Sequence, residues 1–351
     1  MVQAAPNARR YYGGMYPLGR IWTTQTALAA TYEDMPEQPL DQIEFGSVHA
    51  ANISGRAVTF TPHAAGQMCT RLGVPYAFAA QCSPRIQQQI MAEFLEDEKK
   101  ERDTLFFRLQ AVNTNFPQVR AVFTSRYTPL DNCEVIKRLR SLGYDDDTPV
   151  KPRIDGGMMS LTLMDMNGRT TLKKVGDVAP GVYVQNSEIG LSSLSLGMMV
   201  VKLICTNGAI MGLAKERQAY RHISRRVFDE GLFDQLVEKV RTRDYLPEFR
   251  SMEIAATKYL PSGTNLEDLA EDVTIDEIAA IREGWVVETG VLFPEPPTSD
   301  ALPLYTTSEY TYDNLIQSLT RAANDTTLSA VSANKLNRLA GQLLETVGQA
   351  A

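Results

Sequence analysis

The chain has 351 residues, 44% apolar and 22% charged, with a formal net charge of -7. That composition supplies a sizeable core and excludes disorder as the main theme. No stretch approaches the roughly 18 consecutive apolar residues of a membrane span, and MVQAAPNARRYYGG has no apolar segment behind its basic pair, so the expectation is a cytoplasmic chain with no membrane partner.

Residues 1–15 are polar and glycine-bearing, and the stretch to residue 40 reads as an N-terminal arm. From Pro62 to Leu72 the sequence places Ala65, Met68, Cys69 and Leu72 at the spacing of one buried helical face, stopped by Gly73. A second helix is predicted over Pro84–Lys100, with Ile86, Ile90, Met91, Phe94 and Leu95 on its apolar side and the run EDEKKERD leading to solvent. DTLFFRLQAV and QVRAVFTSRY are β-rich runs separated by the turn residues of NTNFP, which predicts a hairpin. A short helix follows from Asp131 or Asn132 to Leu142, ended by Gly143.

Beyond it, DGGMMSLTLMDMNGRTTLKK carries the strongest local hairpin signal, Asn167-Gly168. VYVQNSEIGLSSLSLGMMVVKLICTNGAIM reads as strands, and AKERQAYRHISRRVF as a helix leaving the sheet. From about residue 228 the chain reads as helical, with Phe233, Leu236, Val237 and Val240 in register. The break FPEPPTSDALP precedes two last helices near 308–323 and 332–348. The fold expected is α+β: an antiparallel strand meander flanked by helices over residues 41–226, then an acidic helical C-terminal region over 227–351.

The net charge hides a split along these same boundaries. Residues 1–226 carry 26 Lys+Arg against 21 Asp+Glu, a net +5, whereas residues 227–351 carry 9 against 21, a net -12. Binding of polyanions depends on local patches rather than totals, so a basic body with an acidic tail permits nucleic acid without demanding it. A solvated acidic tail with no binding role is the plainer alternative.

Four blocks, MCTRLGVPYAFAAQCSP, RAVFTSRYTPLDNCEVI, PGVYVQNSEIGLSSLSL and VVKLICTNGAI, resemble the phage- and plasmid-related family carrying domain of unknown function 932. They cover roughly residues 60–226. The resemblance implies a fold remotely similar to the single-strand annealing recombinases of phages. It implies a non-enzymatic, cofactor-free role, in which a homo-oligomeric ring or filament holds single-stranded DNA until a complementary strand pairs during recombination. A phage nuclease or a host replication protein is the further partner it suggests.

The residues that could bind such a strand are basic and aromatic. Lys215, Arg217, Arg221, Arg225 and Arg226 fall within twelve positions, and on a helix Arg217, Arg221 and Arg225 make one positive stripe. Guanidinium forks on such a stripe match phosphates, and Tyr220 and His222 could stack on bases. Arg120 and Arg126, which bracket the VFTSRY strand, Lys137, Arg138 and Arg140 on the next helix, and Lys151, Arg153, Lys173 and Lys174 would line the same groove. As ordinary surface charges they would instead be balanced by Asp145, Asp146 and Asp147. Asn186, Ser187 and Glu188 in QNSEIG, and Thr206 and Asn207 in CTNG, read as residues that close turns by bonding backbone.

Catalytic alternatives find little support. GxxxxGK[ST], GxGxxG after a strand and HExxH do not occur, which argues against P-loop, dinucleotide and zinc-protease chemistry. None of the three histidines (His49, His63, His222) sits in a nucleophile-elbow context, and the four cysteines (Cys69, Cys82, Cys133, Cys205) form no CxxC pair for a structural zinc. Asp145–Asp147 with Asp155, or Asp165 with Asp177, could converge as a Mg²⁺-dependent nuclease centre. The remaining alternative is an assembly or interaction protein of a phage with no DNA role.

Overall fold

The structure, a computed structural model, describes residues 15–99, 104–111, 116–202, 209–212, 218–222, 226–260, 273–289, 310–325 and 327–349. The chain enters through β1 (Tyr16–Pro17) and α1 (Leu18–Ala29), then lays down β2 (Tyr32–Pro39), β3 (Ile43–Ser47), β4 (Ala50–Ile53) and β5 (Arg56–Phe60). Helices α2 (Pro62–Arg71), α3 (Tyr76–Ala79) and α4 (Pro84–Glu98) precede the hairpin of β6 (Thr104–Gln110) and β7 (Gln118–Thr124). After α5 (Asn132–Ser141) come β8 (Pro149–Ile154), β9 (Met159–Met164), β10 (Thr170–Leu172), β11 (Gly176–Asn186), β12 (Leu194–Lys202), β13 (Ala209–Gly212) and β14 (Gln218–Tyr220). The last third is helical: α6 (Arg226–Asp229), α7 (Leu232–Thr242), α8 (Leu246–Ala255), α9 (Ile275–Thr289), α10 (Tyr312–Ala322) and α11 (Ala330–Gln349).

The strands form two sheets, so the α+β expectation holds. Sheet I has the order β2-β6-β7-β5-β4-β3, and sheet II the order β1-β8-β9-β11-β12-β13, with β10 on β11 and β14 on β12. All pairs are antiparallel except β5 with β7. Residues 16–39 are not an arm: β1 pairs with β8, β2 pairs with β6, and Leu18 and Ile21 of α1 are buried.

Local chemistry explains most of the elements. The Thr61 hydroxyl accepts from the Ala64 amide and Pro62 opens the first turn of α2, while Gly73 at φ +71° ends it. Ala64, Ala65, Met68 and Cys69 then seal one face of sheet I with Leu105, Phe107, Val119 and Val122. On α4 the buried residues are Gln87, Met91 and Leu95, not the full predicted stripe: Ile86 and Phe94 are 46% and 39% exposed. The helix is turned toward Gln87, whose side-chain oxygen accepts from the Val48 amide while its NH₂ donates to Cys82 O. A tight hairpin turn occurs at Ser54-Gly55, both at positive φ. Asn167-Gly168 does not form one, because Asp165 bonds the Asn167 amide and a 3₁₀ turn sends β10 on to pair with β11 beyond β9.

Sheet II buries both faces of β11 and β12, which is why their sequence reads as a near-continuous apolar run. Leu161, Leu163, Val182, Val184, Leu196, Met198 and Val200 share one core with α1, α5, α7 and the C-terminal helices, including Leu315, Leu319, Leu336 and Leu344. The helical acidic third is therefore part of the sheet II body. The predicted face Phe233, Leu236, Val237 and Val240 is the buried face of α7.

The two sheets meet where the β11–β12 turn enters the face of sheet I not covered by α2 and α4. Ile189 packs there against Phe106, Ala121 and Phe123. Gly190 follows at φ +83°, and a Cβ on it would lie 2.7 Å from the Phe123 ring. Gly190→Ala should destabilise the protein by about 1–3 kcal/mol or more, since left-handed strain adds to a clash. Gly55→Ala, also at φ +83° but with no atom within 4 Å of the new Cβ, carries the strain alone and should cost less. Urea denaturation of both variants reads the difference.

Candidate functional site

The β-bulge in the β6–β7 hairpin sets the chemistry of that meeting point. Arg108 pairs with Ala121 and Leu109 with Val119, so Arg120 is the extra residue and faces the same side as Ala121. Two arginines thereby project from the face of sheet I that the β11–β12 turn enters. Arg108 is 1% exposed and Arg120 8% exposed.

Glu188, at the tip of that turn and 4% exposed, receives them. Arg120 Nη2 donates to Glu188 Oε2 at 3.1 Å, and the Asn132 amide donates to Oε1 at 2.8 Å. The second contact places a carboxylate on the first turn of α5, where exposed amides and the helix dipole favour negative charge. Arg108 donates to Asp34 Oδ1 at 2.9 Å, to Asp131 Oδ1, and to Glu188 O at 3.4 Å. Arg120 also lies over the Tyr32 ring, 4.0 Å from its centroid. One glutamate thus ties sheet I, sheet II and α5 together. Ser187 behaves as the sequence suggests, closing the turn by accepting from the Ile189 and Leu191 amides. Asn186 instead reaches across to Leu130 O and Asn132 Oδ1.

This interior shifts the groups around it. Burial raises Asp34 despite the Arg108 charge that lowers it, and burial pushes the Tyr127 hydroxyl up to about 12. Burial, with Arg108 nearby, pushes the His222 imidazole down to about 4. The Tyr127 ring stacks on Phe123 at 3.7 Å, and its hydroxyl lies 3.4 Å from His222 Nδ1. The Thr128 amide donates to His222 O at 2.8 Å. The segments 126–128 and 221–222 are therefore adjacent, and Arg126 and Arg221 are both exposed beside this aromatic group.

Other predicted binding residues are dispersed. Arg120 is not on a surface groove, because the bulge turns it inward onto Glu188. Arg138 is paired with Asp234 of α7, and Arg140 with Asp146 while stacking on Trp22. Arg153 donates to Ala323 O, Asp325 O and Leu328 O, holding the α10–α11 connection, and burial pushes Lys151 down to about 7. Lys137 is exposed on α5. Lys173 and Lys174 are exposed in the β10–β11 turn, at the end of the 11-residue β11 opposite Glu188. At about 3.3 Å per residue, that end is roughly 33 Å away.

The helical stripe expected through Arg217, Arg221 and Arg225 does not form. Gln218–Tyr220 is strand β14, antiparallel to β12, and the Tyr220 hydroxyl donates to Gln218 Oε1. Lys215, Arg217, Arg225, Thr206 and Asn207 lie outside the described residues, as does the side chain of Arg226.

The aspartates weighed as a metal centre have local duties. Asp155 accepts from the Gly157 and Met158 amides, Asp165 from Asn167, and Asp177 from Thr171 and Arg169. Among the described residues no helix is long and apolar enough to cross a membrane.

What sequence reasoning missed was the pairing of Glu188 with Arg120, since it read the first as a turn residue and the second as a groove residue. The signal available was a lone acidic residue between the apolar runs that flank QNSEIG.

Residues 119–242 match the model of the family described as a domain of unknown function (DUF932). The match runs from β7 to α7 and so contains the bulged Arg120, the Glu188 turn and the Arg126–His222 edge. No curated protein and no solved structure matches the chain.

The depressed His222 sets a pH signature. An unfolded histidine titrates near 6.5 and the folded one near 4, so the unfolded state binds the extra proton between these values. The stability this represents is present above pH 6.5 and is lost as pH falls toward 4. Between pH 7.5 and pH 5, wild type should lose about 2 kcal/mol more than His222→Gln in urea denaturation.

Proposed function

We propose that the protein binds single-stranded nucleic acid without sequence preference and promotes annealing of complementary strands of a phage or plasmid, with no catalytic step of its own. The observation that supports this reading best is the edge where Arg126 and Arg221, 95 positions apart in the chain, flank the Phe123–Tyr127 stack and His222. Two exposed cations beside the half-buried Tyr127 and His222 rings, with Phe123 buried behind Tyr127, suit a strand whose phosphates need charge and whose bases need planar partners. The resemblance of residues 60–226 to a family associated with phages and plasmids supports the choice of DNA and of self-association into a ring or filament.

Arg108, Arg120, Arg138 and Arg140 are held by carboxylates and do not serve this edge. Its exposed cations are Arg126 and Arg221, and the reading is tested through them. The exposed Phe78, Ile86 and Phe94 favour a second reading, an assembly protein that meets a partner through this apolar surface.

Fluorescence anisotropy of a labelled single strand of about 30 nucleotides, beside a duplex of the same length, separates the two. The annealing reading predicts single-strand binding that weakens steeply with salt. Arg126→Glu with Arg221→Glu should weaken it at least about tenfold and reduce the slope of log K against log salt by about 1.4, two contacts at roughly 0.7 each. Absence of binding to either form at low salt would leave the assembly reading.

A further inference from the structure

The outer face of α2 holds a second feature. An open cleft of about 550 Å³ is lined by His63, Gly66, Gln67, Thr70, Arg71 and Tyr76. Its size lies within the roughly 300–1,000 Å³ of small-ligand sites. His63, Gly66, Gln67 and Thr70 fall at i, i+3, i+4 and i+7, so the helix presents them together, opposite the buried Ala65, Met68 and Cys69.

Gly66 at the centre of this face has no internal explanation. Glycine within a helix is unfavourable relative to alanine. Gly66 is not among the glycines at positive φ, and a Cβ added to it would meet nothing within 4 Å. Neither backbone geometry nor packing inside the chain calls for glycine there. An external occupant lying on the helix would.

The lining indicates the class of occupant. Among the described residues its lining has no carboxylate, although the chain carries a net charge of -7, and it carries the charge of the Arg71 guanidinium, whose Nε and Nη2 donate to Val122 O and fix its position. His63 Nε2 lies 2.9 Å from Ile189 O, a carbonyl that can only accept, so Nε2 donates there and the Nδ1 edge is turned to other partners. Tyr76 supplies an aromatic wall, edge-on to His49 at 5.9 Å. Planar walls, polar edges and one cation suit a heteroaromatic ring with an attached phosphate.

Two residues of the cleft, His63 and Gln67, hold the β11–β12 turn through Ile189 O. Gln67 Nε2 donates to Ile189 O, and the Cβ position of Gly190 lies 3.5 Å from Gln67 Nε2 and 2.7 Å from the Phe123 ring, which stacks on Tyr127.

We infer that the cleft is a subsite for one nucleobase of a bound strand, with the base over Gly66, its polar edge served by His63 and Thr70, and the attached phosphate by Arg71. This inference rests on the single-strand reading and assigns it a second contact region. The test uses Gly66→Leu in the full chain, which fills the floor of the cleft with a better helix former and should leave the thermal melt unchanged or raised. Wild type and variant are titrated calorimetrically with deoxyadenosine monophosphate and by anisotropy with the single strand.

The expected result is that wild type binds the mononucleotide and that Gly66→Leu weakens both the mononucleotide and the strand at least about tenfold. Equal mononucleotide binding by wild type and variant, or none by wild type, would overturn the inference. Strand binding that survives Gly66→Leu but falls in the Arg126→Glu, Arg221→Glu variant would remove the subsite and keep the single-strand reading. Mononucleotide binding that Gly66→Leu abolishes, in a chain that binds no strand, would keep the subsite and remove that reading.

Discussion

A carboxylate moved out of water loses several kcal/mol of hydration, and in this protein Glu188 is moved to the place where two sheets meet. Its oxygens are satisfied by Arg120 from the bulge of sheet I and by the first amide of α5, and its backbone carbonyl accepts from Arg108 and Tyr127. Each of those donors is itself buried or half-buried, so none can be satisfied by bulk water if Glu188 leaves. The position of sheet I on sheet II, the start of α5 and the placement of the Tyr127–His222 edge all depend on that one turn remaining inserted. Ile189 O, held by His63 and Gln67, fixes the turn from the α2 side as well.

The charge split along the sequence resolves into packing. The acidic last third places two carboxylates on the basic body: Asp234 on Arg138 and Asp313 on Lys202. Others close pairs within the third itself, Glu277 with Lys335 and Glu288 with Arg321. The Arg138–Asp234 pair is half-exposed and contributes little by itself, whereas Lys202 and Glu277 are buried and depend on their partners. Among the described residues Arg138 and Lys202 are therefore engaged by the last third.

Much of the fold was legible because short-range rules govern it. The helical faces of α2 and α7 followed from spacing, and the β6–β7 hairpin followed from β-rich runs around turn residues. Other expectations failed where tertiary contacts outweighed local preference. α4 turns toward a polar residue, Gln87, because that side chain bonds the β3–β4 connection, and no periodicity of apolar residues encodes this. Asn167-Gly168 yields to the side chain of Asp165 two residues earlier. Arg217, Arg221 and Arg225 have helical charge spacing, yet Gln218–Tyr220 between them pairs with β12 as a strand. The site was legible only in part. Arg126, Arg221 and His222 were in view, but Arg120 is sent inward by a bulge that its own sequence does not announce, and its partner lies 68 positions away.

The central claim is that Glu188 and Arg120 act as one unit joining the sheets, and a double-mutant cycle measures it most directly. Arg120→Leu and Glu188→Leu should each destabilise by about 3–5 kcal/mol in urea denaturation, because each strands a buried charge. The double variant removes both charges, and its cost should fall short of the sum of the two single costs by about 2 kcal/mol or more. Costs that add to within about 0.5 kcal/mol would mean that the two residues do not interact, and would contradict the account.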